Sequence, residues 1–103
     1  RNKKEKIGLY GASAGAANLW SLINWDGVEV ELFDGDIAKK GKYLPGCPLI
    51  INQSHDIINS GVKKIIILPI SFVNEIEGHL INDLKVSDEI KIDTLKSIID
   101  NSF

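Results

Sequence analysis

Gly11-Ala-Ser-Ala-Gly15 is the stretch of this chain whose residue types and spacing are best suited to chemistry. An apolar run over residues 7–10 enters it, and a helical pattern through Ala16, Ala17, Leu19, Leu22 and Ile23 leaves it. Strand, glycine turn and helix in that order set unpaired N–H groups and a positive partial charge at the carboxyl end of a buried strand. Such a place suits an anion, most often a phosphate. Against the dinucleotide fingerprint G-x-G-x-x-G/A the turn reads Gly11-Ala12-Ser13-Ala14-Gly15-Ala16. Ser13 stands where the second glycine lets pyrophosphate approach the backbone, and its hydroxyl can donate to a phosphate instead. Asp34 follows Gly11 by 23 residues, in the place of the acid that accepts from ribose hydroxyls. A carboxylate there repels a 2′-phosphate, so NAD-like ligands are favoured over NADP-like ones. Lys40 and Lys42 supply cations after it, and Pro69 and Ser71 close a later strand that forms the opposite wall of a cleft.

The elements that position these residues alternate. Residues 7–10 read as a strand buried on both faces and residues 12–24 as a helix, with Asp26-Gly27 as the turn that ends it. Residues 28–34 alternate as a second strand. Strand, helix, strand within about thirty residues is the right-handed βαβ unit. Residues 35–48, with three glycines and two prolines, are a loop. A short third strand is expected at 49–51 and a brief helix at 54–59, capped by Ser54 and closed by Gly61. Val62-Lys-Lys-Ile-Ile-Ile-Leu68 is the plainest strand of all. Pro69 breaks it, Ser71 is set to cap a helix, and Phe72, Ile76, Leu80 and Leu84 carry helical spacing to residue 84. A last strand at 89–92 and an amphipathic helix at 94–99 complete the pattern. It predicts an α/β domain: an open, mostly parallel Rossmann-like sheet of about four or five strands with helices on both faces.

Composition narrows the partners. The chain has 103 residues, enough for one domain, and its 44% apolar and 25% charged residues suit a soluble globular protein. A net charge of −2 gives no electrostatic ground for binding nucleic acid or an anionic membrane. No apolar run nears 18 residues, and Cys47 has no second cysteine to pair with, which points to the cytoplasm. Methionine is absent even at position 1, which suggests a single domain, residues 1–103, excised from a larger multidomain enzyme.

The same turn satisfies G-x-S-x-G, the nucleophile elbow, with Ser13 as nucleophile and Asp34 or Asp56 then His79 in triad order. No HGGG-type oxyanion motif accompanies it. His55, His79 and Cys47 lack metal-ligand spacing and read as ordinary residues. Glu29 and Glu31 read as a solvated strand face, and Trp20, Trp25 and Phe33 as packing residues.

Two segments go beyond generic features: Leu9-Tyr-Gly-Ala-Ser-Ala-Gly15, and Phe33-Asp-Gly-Asp-Ile-Ala-Lys-Lys-Gly-Lys-Tyr-Leu-Pro-Gly-Cys-Pro-Leu49. Together they resemble the C-terminal Rossmann-like domain of bacterial sugar C-methyltransferases. They are also similar to the small nucleotide-binding domain of polysaccharide-biosynthesis dehydratases and epimerases. The resemblance spans residues 6–84, and Lys40-Gly-Lys-Tyr-Leu-Pro-Gly46 is its most specific part. It implies a non-catalytic domain of an enzyme that modifies nucleotide-linked sugars for surface glycans or metabolites. The glycine turn, Asp34 and the 40–46 loop would border the ligand cleft, and the methyl-transfer machinery would lie in a preceding domain. The expected ligand is NAD or a nucleotide sugar. The expected macromolecular partners are the remaining domains of the parent chain, with homodimerisation left open. Three alternatives stand beside this reading. One is a structural or oligomerisation module that has lost its ligand. Another is the NAD-binding domain of a nucleotide-sugar dehydratase or epimerase. The third is an esterase-type hydrolase built on Ser13.

Overall fold

A computed structural model describes residues 5–22 and 25–94. Five strands form one sheet in the order β3-β2-β1-β4-β5, with every pairing parallel. They are β1 (Glu5–Tyr10), β2 (Val28–Asp34), β3 (Ile51–Gln53), β4 (Lys64–Ile67) and β5 (Lys91–Thr94). Two α-helices, α1 (Ala14–Leu22) and α2 (Val73–Gly78), join short helical turns at the connections. This is the α/β Rossmann-like fold expected from the alternation of elements, with the fifth strand present and the sheet wholly parallel.

Parallel strands are covered on both faces, so the inner ones need apolar side chains on both sides. Ile65, Ile66 and Ile67 in β4 meet that need: all three are buried, and their branched side chains favour extended backbone. Alternation divides them between two cores. Leu9, Val30, Leu32, Ile66 and Leu68 pack on one face with Ala12, Ala16 and Leu19 of the α1 region. Tyr10, Phe33, Ile65 and Ile67 pack on the other with Ile57 and Leu80. Gly8 sits mid-strand because the Phe33 ring lies across it. A Cβ at Gly8 would stand 2.9 Å from Phe33 Cε2.

Several boundaries differ from expectation, each for a local reason. Helix α1 begins at Ala14 rather than residue 12: the Ser13 carbonyl accepts from Ala16 N–H at 2.9 Å, so Ser13 stands at the threshold. The third strand is Ile51–Gln53 rather than 49–51, since Ile50 is drawn into an antiparallel bridge with Tyr43. Ser54 opens a 3-10 turn, Ser54–Asn59, without capping it. Its hydroxyl is bonded to the Tyr10 phenol, while Asp56 accepts from Gln53 N–H at 3.0 Å. Gly61 follows at φ +82°, the conformation for which a glycine was expected there. Residues 62–68 contract to the four-residue β4.

The single helix expected from residue 72 is three pieces. A 3-10 turn spans Ile70–Phe72, closed by Phe72 N–H donating to the Pro69 carbonyl at 3.1 Å, and α2 follows. A π-turn, His79–Asp83, then completes it. Ser71 therefore lies inside the 3-10 turn and does not cap α2. The last strand starts two residues late because Ile90 N–H turns back to the Ser87 carbonyl. The amphipathic helix expected at 94–99 lies outside the described residues, apart from Thr94, which ends β5.

Across the β1–β2 pair, Lys6 Nζ reaches Glu31 Oε2 at 3.0 Å and Glu29 Oε2 at 3.6 Å, so the alternating glutamates form an ion-paired face. The Glu31 carboxylate, mainly as an acceptor, outweighs the opposing effect of burial and raises the Lys6 ammonium above its ordinary value. Trp20 and Trp25 stack with ring centroids 5.5 Å apart, which bears out their reading as packing residues. Phe33, fully buried, packs as expected too.

Candidate functional site

The sheet order puts β1 beside β4, with the chain continuing to β2 on one side and to β5 on the other. Their carboxyl ends are the topological switch point, where ligands of open α/β sheets collect. Gly11 leaves β1 here at φ +113°, with its N–H bonded to the Phe33 carbonyl at 2.8 Å. Leu68 N–H donates to the Tyr10 carbonyl at 3.0 Å, carrying the neighbouring strand one residue further. The two exits then touch. A Cβ on Gly11 would lie 2.6 Å from Pro69 Cδ and 2.7 Å from its Cγ. Only glycine fits, in φ and in space alike. Pro69 thus stands against the glycine turn as the sequence suggested, and Ser71, two residues on, is exposed.

Asp34 also arrives at the turn. Its Oδ2 accepts from Ala12 N–H at 2.8 Å and its Oδ1 from Asp36 N–H at 2.8 Å. The lysine that joins it is one the sequence did not single out. Lys39 Nζ donates to the Ala12 carbonyl at 2.9 Å and lies 3.5 Å from Asp34 Oδ2. Lys39 belongs to a 3-10 turn, Ile37–Lys39, that Asp36 caps by accepting from Ala38 N–H at 3.0 Å. That Asp36 cap is the signal that could have found it: one short turn after the capping aspartate carries the chain to Lys39, whereas the spacing of Lys40 and Lys42 says nothing about direction.

Lys40 and Lys42 are exposed, and their segment is pinned to the sheet edge. Gly41 N–H donates to the Ile51 carbonyl and Ile51 N–H to the Lys42 carbonyl, both at 2.9 Å. Beyond them the loop folds back over the start of α1, where Ser13, Ala17, Asn18, Leu44 and Pro45 line a cavity of about 340 Å³. The structure therefore brings together Ser13, the far part of the 40–46 loop, Asp34 and Pro69 around one sheet end, and leaves the Lys40 and Lys42 ammonium groups outside.

The hydrolase arrangement is not built. Asp34 is committed to two backbone amides and Lys39, and His79 faces Asp83 at 3.0 Å. His55 lies 3.5 Å from Asp56, and among the described residues no histidine contacts Ser13. No group of three histidine, cysteine or acidic residues could hold a metal ion among those residues. No helix among them is long and apolar enough to cross a membrane.

The Tyr10 phenol lies under the loop that leaves β2. It is bonded to the buried Ser54 hydroxyl, and a Cβ on Gly35 would come within 3.1 Å of it. Burial, reinforced by the Asp34 charge and opposed by the Ser54 bond, holds this phenol above the usual tyrosine value.

No protein-family model and no curated protein sequence matches the chain. Among solved structures the chain is similar to the crystal structure of UDP-D-quinovosamine 4-dehydrogenase from Vibrio fischeri. The TM-score is 0.53 at 15% sequence identity, over 97% of this chain and 87% of that one. At that identity the likeness shows the fold, and it agrees with the parallel five-stranded sheet.

Proposed function

We propose that this chain is the nucleotide or nucleotide-sugar binding domain of a bacterial sugar-modifying enzyme of the sugar C-methyltransferase kind. On this reading it is a non-catalytic, cytoplasmic part of an enzyme making surface glycans or metabolites, and it works with the remaining domains of its chain. The observation that carries the reading is the cavity between the start of α1 and the loop after β2, beside the glycine turn. Ser13 and Asn18 offer polar groups on one wall, and Leu44 and Pro45 form an apolar wall opposite. The phosphate would meet the Ser13 hydroxyl and the first amides of α1 at Ala14 and Gly15, beside a turn whose Gly11, Ala12 and Ser13 N–H groups are bonded within the chain. Asp34, Pro69 and Ser71 border the cleft. Lys40 and Lys42 supply long-range positive charge from the adjoining loop. Support for the methyltransferase kind comes from the segment Lys40-Gly-Lys-Tyr-Leu-Pro-Gly46, whose Leu44 and Pro45 are the residues that line this cavity.

A second reading, the NAD-binding domain of a nucleotide-sugar dehydratase or epimerase, draws on the fold likeness to a protein named as a UDP-sugar dehydrogenase. Titration calorimetry with NAD, NADP, UDP, TDP and sugar nucleotides separates the two. Binding of UDP or TDP compounds, with NAD weak and Ala17→Phe abolishing the signal by filling the cavity, is the expected result. Tight NAD binding would favour the second reading. Silence from every ligand would leave a structural module.

A further inference from the structure

Both polar groups of one peptide residue, Ala12, are held by side chains from the next loop. Asp34 Oδ2 takes its N–H at 2.8 Å and Lys39 Nζ takes its carbonyl at 2.9 Å. The two side chains close on each other at 3.5 Å, and the second carboxylate oxygen is bonded to Asp36 N–H. Ala12 is itself 1% exposed, and the Asp34 side chain is only 15% exposed. An acid that reads ribose must present free acceptor sites to the cleft. Here each oxygen already accepts one backbone N–H and Oδ2 also faces the Lys39 ammonium, which leaves this largely buried carboxylate little to offer a ribose.

From this we infer that Asp34 and Lys39 form a clasp that positions the glycine turn, and that the domain binds nucleoside diphosphates without reading the ribose 2′-hydroxyl. The inference rests on the nucleotide-binding reading above and refines it. Asp34 is a positioning residue on this view, with Lys39 as its partner. Discrimination falls to the groups around the cavity: Ser13, Asn18, Leu44 and Pro45. The ligand class is then nucleoside diphosphates and their sugar esters of either the ribo or the deoxyribo series.

The test compares UDP with 2′-deoxy-UDP, and ADP with 2′-deoxy-ADP, by titration calorimetry on the intact chain. The expected result is affinities within about twofold inside each pair. Asp34→Asn and Lys39→Met should weaken both members of a pair by the same factor. The double variant should be no weaker than the worse single one, because one clasp is broken in all three. Lys39→Arg should restore binding, since a guanidinium can reach the same carbonyl and carboxylate. A loss of tenfold or more for the deoxy ligands in the unaltered chain would overturn the inference while leaving nucleotide binding intact, and that comparison needs no variant to fold. Failure of all four ligands to bind would overturn the nucleotide-binding reading itself, and the inference with it.

Discussion

Tyr10 and Gly11 are consecutive, and each is fixed by a contact that no short sequence window contains. Gly11 meets Pro69, 58 positions on, and holds a φ of +113°. Gly11→Ala should therefore destabilise the domain by about 2–4 kcal/mol, from backbone strain and overpacking together, read as a lower urea midpoint at unchanged m-value. Tyr10 bonds to Ser54, which is buried. Tyr10→Phe strands that hydroxyl and should cost about 1–2 kcal/mol at neutral pH. The phenol also sets an alkaline limit. Its ionisation is displaced upward in the folded chain, chiefly by burial, so the unfolded chain gives up this proton first as pH rises. Tyr10's contribution is whole below about pH 10, where a free tyrosine titrates, and is lost as pH climbs through the folded value. Urea unfolding between pH 8 and 11 should show a shallower alkaline decline in Tyr10→Phe than in the unaltered chain. The glycine and the acid at the turn were legible because their spacing is local and stereotyped. Lys39 was not, since three lysines lie within four positions and only the 3-10 turn decides which of them faces back.

Among the elements, β2 was readable to the residue, because it alternates until its end, and the starts of β1 and α1 to within two residues, because the glycine turn separates them. The segment after β4 was not. A 3.6-residue period through Phe72, Ile76, Leu80 and Leu84 reads as one helix, but the chain makes 3-10, α and π turns in succession. Each change of pitch rotates the apolar positions. Leu80 ends fully buried, and Phe72 is left 59% exposed. Equal spacing in sequence therefore predicts unequal energies. Leu80→Ala should cost about 2–5 kcal/mol and Phe72→Ala within about 0.5 kcal/mol, both by chemical denaturation. Comparable losses at the two positions would mean that the segment packs as one regular helix after all. Strand ends slipped by one or two residues for a related reason: pairing partners, not propensity, decide where a ladder stops, as Ile50 shows by bridging to Tyr43.

For the whole molecule, the fold class was legible from alternation and composition, and the resemblance pointed to the loop that supplies Leu44 and Pro45. The sequence also pointed to the β1 exit, the β2 loop and the β4 exit around one sheet end; what it could not show is the cavity that Leu44 and Pro45 close over Ser13, Ala17 and Asn18. A ligand gripping those three parts of the chain stabilises the molecule as a unit. A nucleoside diphosphate at a hundred times its dissociation constant should add about 2.7 kcal/mol. For a domain of this size that corresponds to a melting-temperature rise of roughly 10–20 °C. The shift should vanish in Ala17→Phe, where the cavity is filled and the rest of the sheet end is intact.

Gly8 and Phe33 have a consequence for how this sequence can change over time. The aromatic ring occupies the space that any side chain at position 8 would need, 2.9 Å from where its first carbon would stand. Any larger residue at Gly8 meets that ring at once, whereas Phe33→Leu leaves room first and a packing defect that Gly8→Ala can then help fill. The two substitutions are therefore ordered: the path through the ring is open, and the path through the glycine is closed. A lineage that keeps this sheet must change the ring before the glycine, and a library that varies position 8 alone should return glycine.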